Sequence, residues 1–194
     1  MKRIINIAIF LIIFALYFVT FMMIYDNFRE RKLNSTEEKA LDILEEKIKE
    51  KEKEPLETVS YGINYNKFTI LGRLQIPSVY INTVILKEHT YAAMNVGAVK
   101  TYGVNLNEPG GFAISGHNYR GRSTFFYNIR NLTNGSKIYI TDVYGNKKEY
   151  NVYSVERNVS PNDTSYMQVF DGYHVTLITC EVGGKSRIVV KAKG

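Results

Sequence analysis

A cysteine and an arginine near the C-terminal end of the chain have the spacing that a β-hairpin needs to bring them together. Cys180, the only cysteine, ends an apolar run that is typical of a strand. A second strand-like run begins at Arg187, and Gly183-Gly184 between the two runs is a two-residue hairpin signal. With that loop, the two Cα atoms would lie about 5 Å apart on one face of the sheet. A neighbouring guanidinium favours the thiolate, so the pair predicts a cysteine nucleophile.

A structural role for the thiol competes with this interpretation, because a lone cysteine in an apolar strand is most often a small buried hydrophobic residue. Cellular location helps to decide between the two. Residues Ile4–Tyr25 carry no charge, and 22 helical residues span about 33 Å, enough to cross a bilayer. Small residues of a cleavage site are missing after this run, which favours an uncleaved anchor over a signal peptide. An exported domain usually has paired cysteines or none, so an unpaired thiol there indicates reactivity.

The orientation of this anchor is not given by its flanking charges. Lys2 and Arg3 precede the span, whereas Arg29, Arg31 and Lys32 follow it closely. The positive-inside count alone leans weakly toward a cytoplasmic C-terminal domain. Flanking charge is a poor guide for long translocated domains, so the chemistry of the thiol is the basis for predicting an extracellular domain.

The sequence predicts four consecutive parts: a cytoplasmic tip at 1–3, an anchor at 4–25, a charged linker or helical stalk at 26–58, and a catalytic domain at 59–194. The stretch Arg29–Glu54 contains 8 basic and 9 acidic side chains. Leu41, Leu44 and Ile48 form a helical stripe that is too short for a coiled coil. A solvated stalk is therefore favoured, and a helix that packs on the catalytic domain is the alternative.

The segment after Val59 is rich in Val, Ile, Tyr and Thr, which predicts one β-rich domain. Strands are predicted at Phe68–Ile76, Val79–Leu86, Gly111–Ser115, Lys137–Asp142, Lys147–Arg157, His174–Cys180 and Arg187–Lys191. Short helical turns are predicted at Tyr91–Val96 and Thr124–Arg130. Alternating strand–helix units of βαβ length do not occur in the pattern. The prediction is a mainly β fold with short helices, in the form of a closed or nearly closed β-barrel.

The charge of this domain bears on its partners. The chain after Pro55 carries 15 basic and 9 acidic side chains, a net charge of +6, without a lysine or arginine cluster. An even spread of charge and tyrosine argues against a nucleic-acid groove. A modest positive field suits a surface that faces an anionic envelope or lipid head groups.

A cysteine nucleophile needs a proton donor for its leaving group, and the chain offers three histidines. His174 lies on the same predicted strand as the cysteine, about 20 Å away, and nothing around His89 suggests a site. His117 follows Gly116 at the end of a strand, where catalytic side chains are commonly displayed, although a solvent-exposed loop histidine is the competing interpretation. Ser115 lacks the flanking glycines of a serine-hydrolase elbow.

These residues together resemble a known family. The run Thr-Leu-Ile-Thr-Cys that ends at Cys180, the downstream Arg187 and the upstream pair Gly116-His117 resemble the sortases, the cysteine transpeptidases of Gram-positive cell surfaces. The resemblance covers roughly Phe68–Lys193, and the N-terminal anchor and linker also suit the family. It implies an eight-stranded β-barrel, which agrees with the strand pattern.

The resemblance also implies roles for individual residues. Cys180 would be the nucleophile, His117 the general acid/base, and Arg187 the residue that steadies substrate and oxyanion. Thr179 and Asn118 would bind substrate. The implied reaction cleaves an LPXTG-type sorting motif of surface proteins between threonine and glycine. The acyl group then passes through a thioester to an amine of a peptidoglycan precursor or a pilin.

The resemblance implies no cofactor or metal for this chemistry. Some relatives use calcium near the loop before the cysteine strand, where Asp163 and Asp171 lie in this chain. Two carboxylates without an oxygen-ligand motif are interpreted as loop turns and surface charge. The pattern lacks a second hydrophobic span and an Asp-Pro lid motif, so it looks more like an anchoring sortase of class A, D or E.

Two other classes of protein compete with this interpretation. A cysteine peptidase of another fold would normally show its cysteine in a papain-like signature, which is missing from the sequence. A non-catalytic, membrane-tethered β-barrel that binds wall polymer or a partner, with a buried Cys180, stays open as the alternative.

Overall fold

The structure, a computed structural model, describes residues 2–51, 61–119, 125–168, 170–181 and 183–194. It forms two compact units, Met1–Thr36 and Glu37–Gly194. A long helix, α1 (Lys2–Lys51), contributes residues to both. Residues 52–60 of the predicted stalk and domain start, and Thr124 of a predicted helical turn, lie outside the described residues.

The first unit contains the apolar part of α1 and the charged turn that follows it, up to Thr36. Its large apolar side chains from Ile7 to Phe28 lie exposed, as side chains do when the surrounding solvent is lipid. By length and composition, α1 is the one helix among the described residues that could cross a membrane. The N-terminal part of α1 is therefore a candidate membrane anchor.

The second unit is a closed β-barrel. Its strands are β1 (Ile63–Tyr65), β2 (Phe68–Ile76), β3 (Ile81–Leu86), β4 (Ala98–Gly103), β5 (Gly110–Ser115), β6 (Lys137–Asp142), β7 (Lys147–Val159), β8 (Tyr173–Cys180) and β9 (Arg187–Lys193). They lie in the order β1-β2-β3-β4-β5-β8-β9-β7-β6, and β6 pairs back onto β2. Eight strands, β2 to β9, thus close the ring and β1 extends β2, so the predicted eight-stranded barrel is confirmed. Closure leaves these eight strands without an unpaired edge.

Three strands differ from the sequence prediction, and for β3 the reason is local. The run predicted from Val79 begins as a strand only at Ile81, because Pro77–Val79 form a 3₁₀ turn that ends in a left-handed Tyr80. The short helices are a single turn, α2 (Tyr91–Met94), and a 3₁₀ segment at Phe126–Asn131. β1 and β4 were not predicted at all.

The barrel is packed on both of its faces. The interior is filled by apolar side chains that alternate along the strands, among them Leu74, Phe112, Ile114, Leu177 and Val190. The outer face of β2, β3 and β4 carries a second apolar cluster, to which α1 contributes Ala40 and Leu44, both fully buried. The site described below lies at the barrel end where β5 and β8 finish and β9 begins.

Residues Glu37–Lys51 of α1 are part of the barrel unit. Burial of a leucine side chain such as Leu44 contributes about 1.5–3 kcal/mol, and Glu45 adds an ion pair to Arg73 at 2.6 Å. Of the two interpretations of the charged stretch, the structure shows a helix that packs on the barrel over these residues. The favoured interpretation, a solvated stalk, does not hold for Glu37–Lys51. Leu44 of the helical stripe packs on an apolar strand surface that could not be recognised in the sequence.

Candidate active site

The candidate nucleophile lies on the central strand of three adjacent strands. β8, which ends at Cys180, pairs with β5 in parallel on one side and with β9 antiparallel on the other. In the β8–β9 register Cys180 is opposite Arg187, as the hairpin loop predicted. Glu181 N donates to Ser186 O at 2.8 Å, which continues the hairpin past the last strand pair.

His117 approaches the cysteine from the other side of β8. β5 ends at Ser115, which pairs with Ile178, so two further residues bring His117 level with Cys180. Gly116 N donates to Ile178 O at 3.1 Å, and Thr179 Oγ1 donates to Gly116 O at 2.7 Å. These two bonds carry the register past the end of the strand, where parallel neighbours lie about 4.8 Å apart.

Gly116 has a packing reason to be glycine. A Cβ at this position would come within 2.8 Å of the Phe126 ring. Phe126 is fully buried, and its backbone N donates to His117 O at 2.7 Å. The ring therefore cannot move away without disturbing the histidine loop.

We expect Gly116→Ala to destabilise the barrel by about 1–3 kcal/mol, because overpacking forces the backbone or the Phe126 ring to shift. The measurement is urea unfolding followed by near-UV circular dichroism of the tyrosines. Gly135→Ala is the matched control: its φ of +86° strains a side chain, but nothing lies within 4 Å of the added Cβ. If Gly116→Ala unfolded at the same urea concentration as the wild type, the packing constraint on Gly116 would be contradicted.

The cysteine and the histidine open onto one cavity of about 500 Å³. Its lining residues are His117, Asn118, Tyr119, Tyr127, Cys180, Glu181, Gly183 and Gly184. Cys180 is half-buried and unpaired with other cysteines. A cavity of this volume, walled by tyrosines and by the glycine hairpin, has room for a few residues of an extended peptide beside the thiol.

The imidazole of His117 lies in aromatic surroundings. Its ring centroid is 5.0 Å from that of Tyr91, 5.1 Å from Tyr119 and 6.2 Å from Phe125. Nε2 is buried without a hydrogen-bond partner among the described residues. Burial lowers the pKa of His117 below its ordinary value, because the charged form is poorly solvated there. The site thus favours a neutral imidazole at neutral pH.

The guanidinium of Arg187 is held by its own hairpin. Its Nη1 donates to Gly184 O at 3.0 Å and to Ser186 O at 3.1 Å. The backbone of Arg187 is opposite the cysteine, whereas the side chain is not among the groups that line the cavity. The predicted pairing of Cys180 with Arg187 therefore holds for the strand register. It does not extend to the side chain, because the guanidinium donates its hydrogen bonds to loop carbonyls.

A second arginine connects two residues that line the cavity. Arg130 Nη2 donates to Asn118 Oδ1 at 3.0 Å, and its guanidinium carbon lies 4.4 Å from the centroid of the Tyr127 ring. Arg157 donates in turn to the carbonyl of Arg130. Asn118 and Tyr127, both lining residues, are thereby fixed to each other through one cation.

The structure brings together most of the residues that the sequence singled out. Cys180, His117 and Asn118 line the cavity. Thr179 lies beside it with a buried side chain that is bonded to Gly116. His174 lies at the other end of β8, as predicted.

Sequence reasoning missed the aromatic and arginine surroundings of the site, namely Tyr91, Tyr119, Phe125, Tyr127 and Arg130. Four of them lie within about a dozen residues of His117 in the chain, which was the only signal available. Asp163, weighed above as a metal ligand or a loop turn, accepts hydrogen bonds from Ser165 N and Oγ, as a turn residue does.

The fold and site define a closed β-barrel with a half-buried thiol between a histidine and an arginine. The family model for the sortase domain matches residues 74–194. The chain therefore belongs to the sortase family.

Individual relatives agree with this assignment. Sortase A of Listeria monocytogenes is 30% identical over 118 residues, which cover 61% of this chain and 52% of the relative. Sortase A of Bacillus anthracis is 32% identical over 115 residues, which cover 59% and 54%. The chain spans about half the length of these curated relatives. Among solved structures, a Clostridium perfringens sortase D5 transpeptidase is 28% identical with a TM-score of 0.64, covering 82% of this chain and 98% of that chain.

Proposed function

We propose that this chain is a cysteine transpeptidase that cleaves an LPXTG-type sorting motif between threonine and glycine and transfers the acyl group to an amine. The observation that carries the proposal is the placement of Cys180 on β8, between the loop of His117 and the strand of Arg187, beside one cavity. Membership of the sortase family supports the same reaction class.

In the first step, the sulfur of Cys180 bonds to the carbonyl carbon of the motif threonine, and the bond to the glycine nitrogen breaks. His117 receives the thiol proton and delivers it to the departing amine. An acceptor amine then attacks the thioester, and the new amide forms as the carbon–sulfur bond breaks. The proton of the acceptor returns through His117 to the sulfur, so each cycle is balanced.

The surroundings of His117 suit this exchange. Because burial disfavours the imidazolium, the resting imidazole is neutral and can accept the thiol proton. The same burial makes the imidazolium a better acid toward the departing amine. Burial of the imidazole therefore favours both the uptake of the thiol proton and its delivery to the departing amine.

Arg187 is the proposed donor to the oxyanion. Its two present acceptors, Gly184 O and Ser186 O, belong to the hairpin loop beside the cavity. In the proposal the guanidinium exchanges these neutral carbonyls for the negatively charged oxygen, which is the stronger acceptor. Asn118 is proposed to contact the bound peptide, and Thr179 to hold the histidine loop through Gly116.

The proposed setting is the cell membrane. Residues 4–25 would form a single-pass anchor with residues 1–3 in the cytoplasm, and the barrel would lie outside. The partners would be surface proteins with a C-terminal sorting motif and a peptidoglycan precursor or pilin that supplies the amine. Residues 26–36 would link the anchor to the barrel unit, which begins at Glu37.

The test uses the full chain in detergent micelles with fluorogenic LPXTG-type peptides, with and without triglycine or a lysine-type amine. We expect a thioester adduct on Cys180 by mass spectrometry and an amine-dependent product. Cys180→Ala should abolish both, and His117→Ala should lower the rate by about 100- to 10,000-fold. Ser115→Ala is the matched control, because Ser115 lies two residues before His117 and should leave the adduct intact.

The opposite outcome is also defined. The proposed transpeptidase activity is contradicted if the wild-type chain forms no adduct with any peptide and its Cys180 does not react with small thiol reagents. That result would leave the non-catalytic binding barrel as the remaining interpretation.

A further inference from the structure

The histidine contacts an aromatic cluster that three separate segments build. Tyr91 comes from α2, Tyr119 from the histidine's own loop, and Phe125 from the start of the 3₁₀ segment. The Tyr91 ring meets the imidazole at 62° and the Phe125 ring at 75°, whereas Tyr119 is tilted by 33°. Ring pairs with centroids about 4.5–7 Å apart and edge-to-face angles are attractive and directional. The cluster therefore restricts both the position and the tilt of the imidazole.

Tyr91 is carried by a turn that is fixed on its other side. Thr90 caps α2 by accepting a hydrogen bond from Ala93 N at 3.1 Å. Ala93 is fully buried, and Met94 packs against the same outer cluster that Leu44 of α1 covers. Tyr91 is 58% exposed, so its burial contributes little to stability. A mostly exposed ring on a firmly seated turn suits a positioning role better than a core role.

We propose that Tyr91 is a positioning residue, whose ring holds the imidazole of His117 level with Cys180. The inference rests on the proposed function, in which His117 moves the proton. Tyr91 is not among the residues that line the cavity, so the proposed role is exerted through the histidine. Tyr119 lines the cavity and Phe125 is buried, so neither offers as clean a test.

The proposal has a consequence for protonation. The Tyr91 ring covers part of the imidazole, and burial is what lowers the pKa of His117. Removing the ring admits water, which should return the pKa toward about 6.5. The other ionisable groups near His117 stay in place: Tyr119 on its loop, Tyr127 on the 3₁₀ segment, Cys180 and Glu181 at the end of β8, and Arg187 on β9.

The experiment compares Tyr91→Ala, Tyr91→Phe and the control Tyr102→Ala in the full chain. Tyr102 is also partly exposed, but its ring packs against Tyr166 and not against the histidine. The ring signals of ¹³C-labelled histidine are titrated by NMR, and the His117 signal is assigned by its loss in His117→Ala. Peptide turnover gives kcat and KM for the same proteins, and circular dichroism melting checks that each is folded.

We expect Tyr91→Ala to raise the titration midpoint of His117 toward that of a solvated imidazole and to lower kcat about three- to ten-fold without changing KM. Tyr91→Phe and Tyr102→Ala should match the wild type, because both keep the ring on the histidine. An unchanged midpoint and kcat in Tyr91→Ala, a rise in KM alone, or a Tyr91→Phe as impaired as the alanine variant would overturn the proposal. The titration needs no substrate, so it tests the contact of Tyr91 with His117 even if the chain does not turn over the peptides.

Discussion

Arg187→Ala is expected to lower the rate of acylation of Cys180 by about 100- to 1,000-fold, with little change in KM. A donor aimed at the oxyanion acts only when negative charge develops, so its loss is felt in kcat. Arg187→Lys should recover only part of the rate, because an ammonium keeps the charge but lacks the planar fork of donors. Stopped-flow fluorescence with a quenched sorting-motif peptide measures the acylation step directly.

The bonds of Arg187 to Gly184 O and Ser186 O require a control for the shape of the hairpin loop. Lys185→Ala removes an exposed cation from the same loop without breaking those bonds, and it should retain the wild-type rate. Gly184→Ala strains the loop at a φ of +73° while it keeps the guanidinium. If Lys185→Ala lost as much activity as Arg187→Ala, a general effect of positive charge would replace the oxyanion role.

Leu44→Ala is expected to destabilise the barrel unit by about 2–4 kcal/mol, although Leu44 lies in the charged helix before the barrel. Its side chain is fully buried in the outer cluster, and truncation removes apolar burial and leaves a cavity. For a unit of this size the loss corresponds to a fall in Tm of roughly 5–15 °C. Urea unfolding monitored by tyrosine circular dichroism measures it, since the chain has no tryptophan.

Two neighbours on α1 serve as controls for Leu44. Glu46→Ala, at an exposed position, should change the free energy of unfolding by less than about 0.5 kcal/mol. Glu45→Ala breaks the partly exposed ion pair with Arg73, which should cost at most about 1 kcal/mol. A Leu44→Ala variant as stable as Glu46→Ala would mean that the helix does not pack on the barrel in solution.

The hairpin that carries the thiol was predictable because its physics is local. A two-residue glycine loop leaves one register for the flanking strands, so Cys180 and Arg187 could be paired from sequence alone. Strands with regular alternation, such as Phe68–Ile76 and Lys137–Asp142, were also found with their observed bounds.

The two missed strands lack that local regularity. β1 has three residues, too few for an alternation to show. β4 has a bulge between Lys100 and Tyr102, which breaks its period of two.

Contacts between distant segments could not be read from the sequence. The side of α1 that meets the barrel depends on an apolar surface formed by three strands together. The ring of Tyr91 reaches His117 only because α2 is seated on that same surface. The guanidinium of Arg187 turns to the carbonyls of Gly184 and Ser186, a side-chain conformation that the strand register does not dictate.

The two halves of the site have very different contact orders. Cys180 and Arg187 meet within one hairpin, which closes in about 1–10 μs in isolated peptides. The histidine joins them only through the parallel β5–β8 pairing, whose bond from Thr179 to Gly116 spans 63 residues of chain. Such long-range pairing is slow, because loop entropy is lost before the contacts form. A newly made chain therefore sets Cys180 opposite Arg187 early, and the loop of His117 joins this hairpin only when the barrel closes, so the complete site forms late in folding.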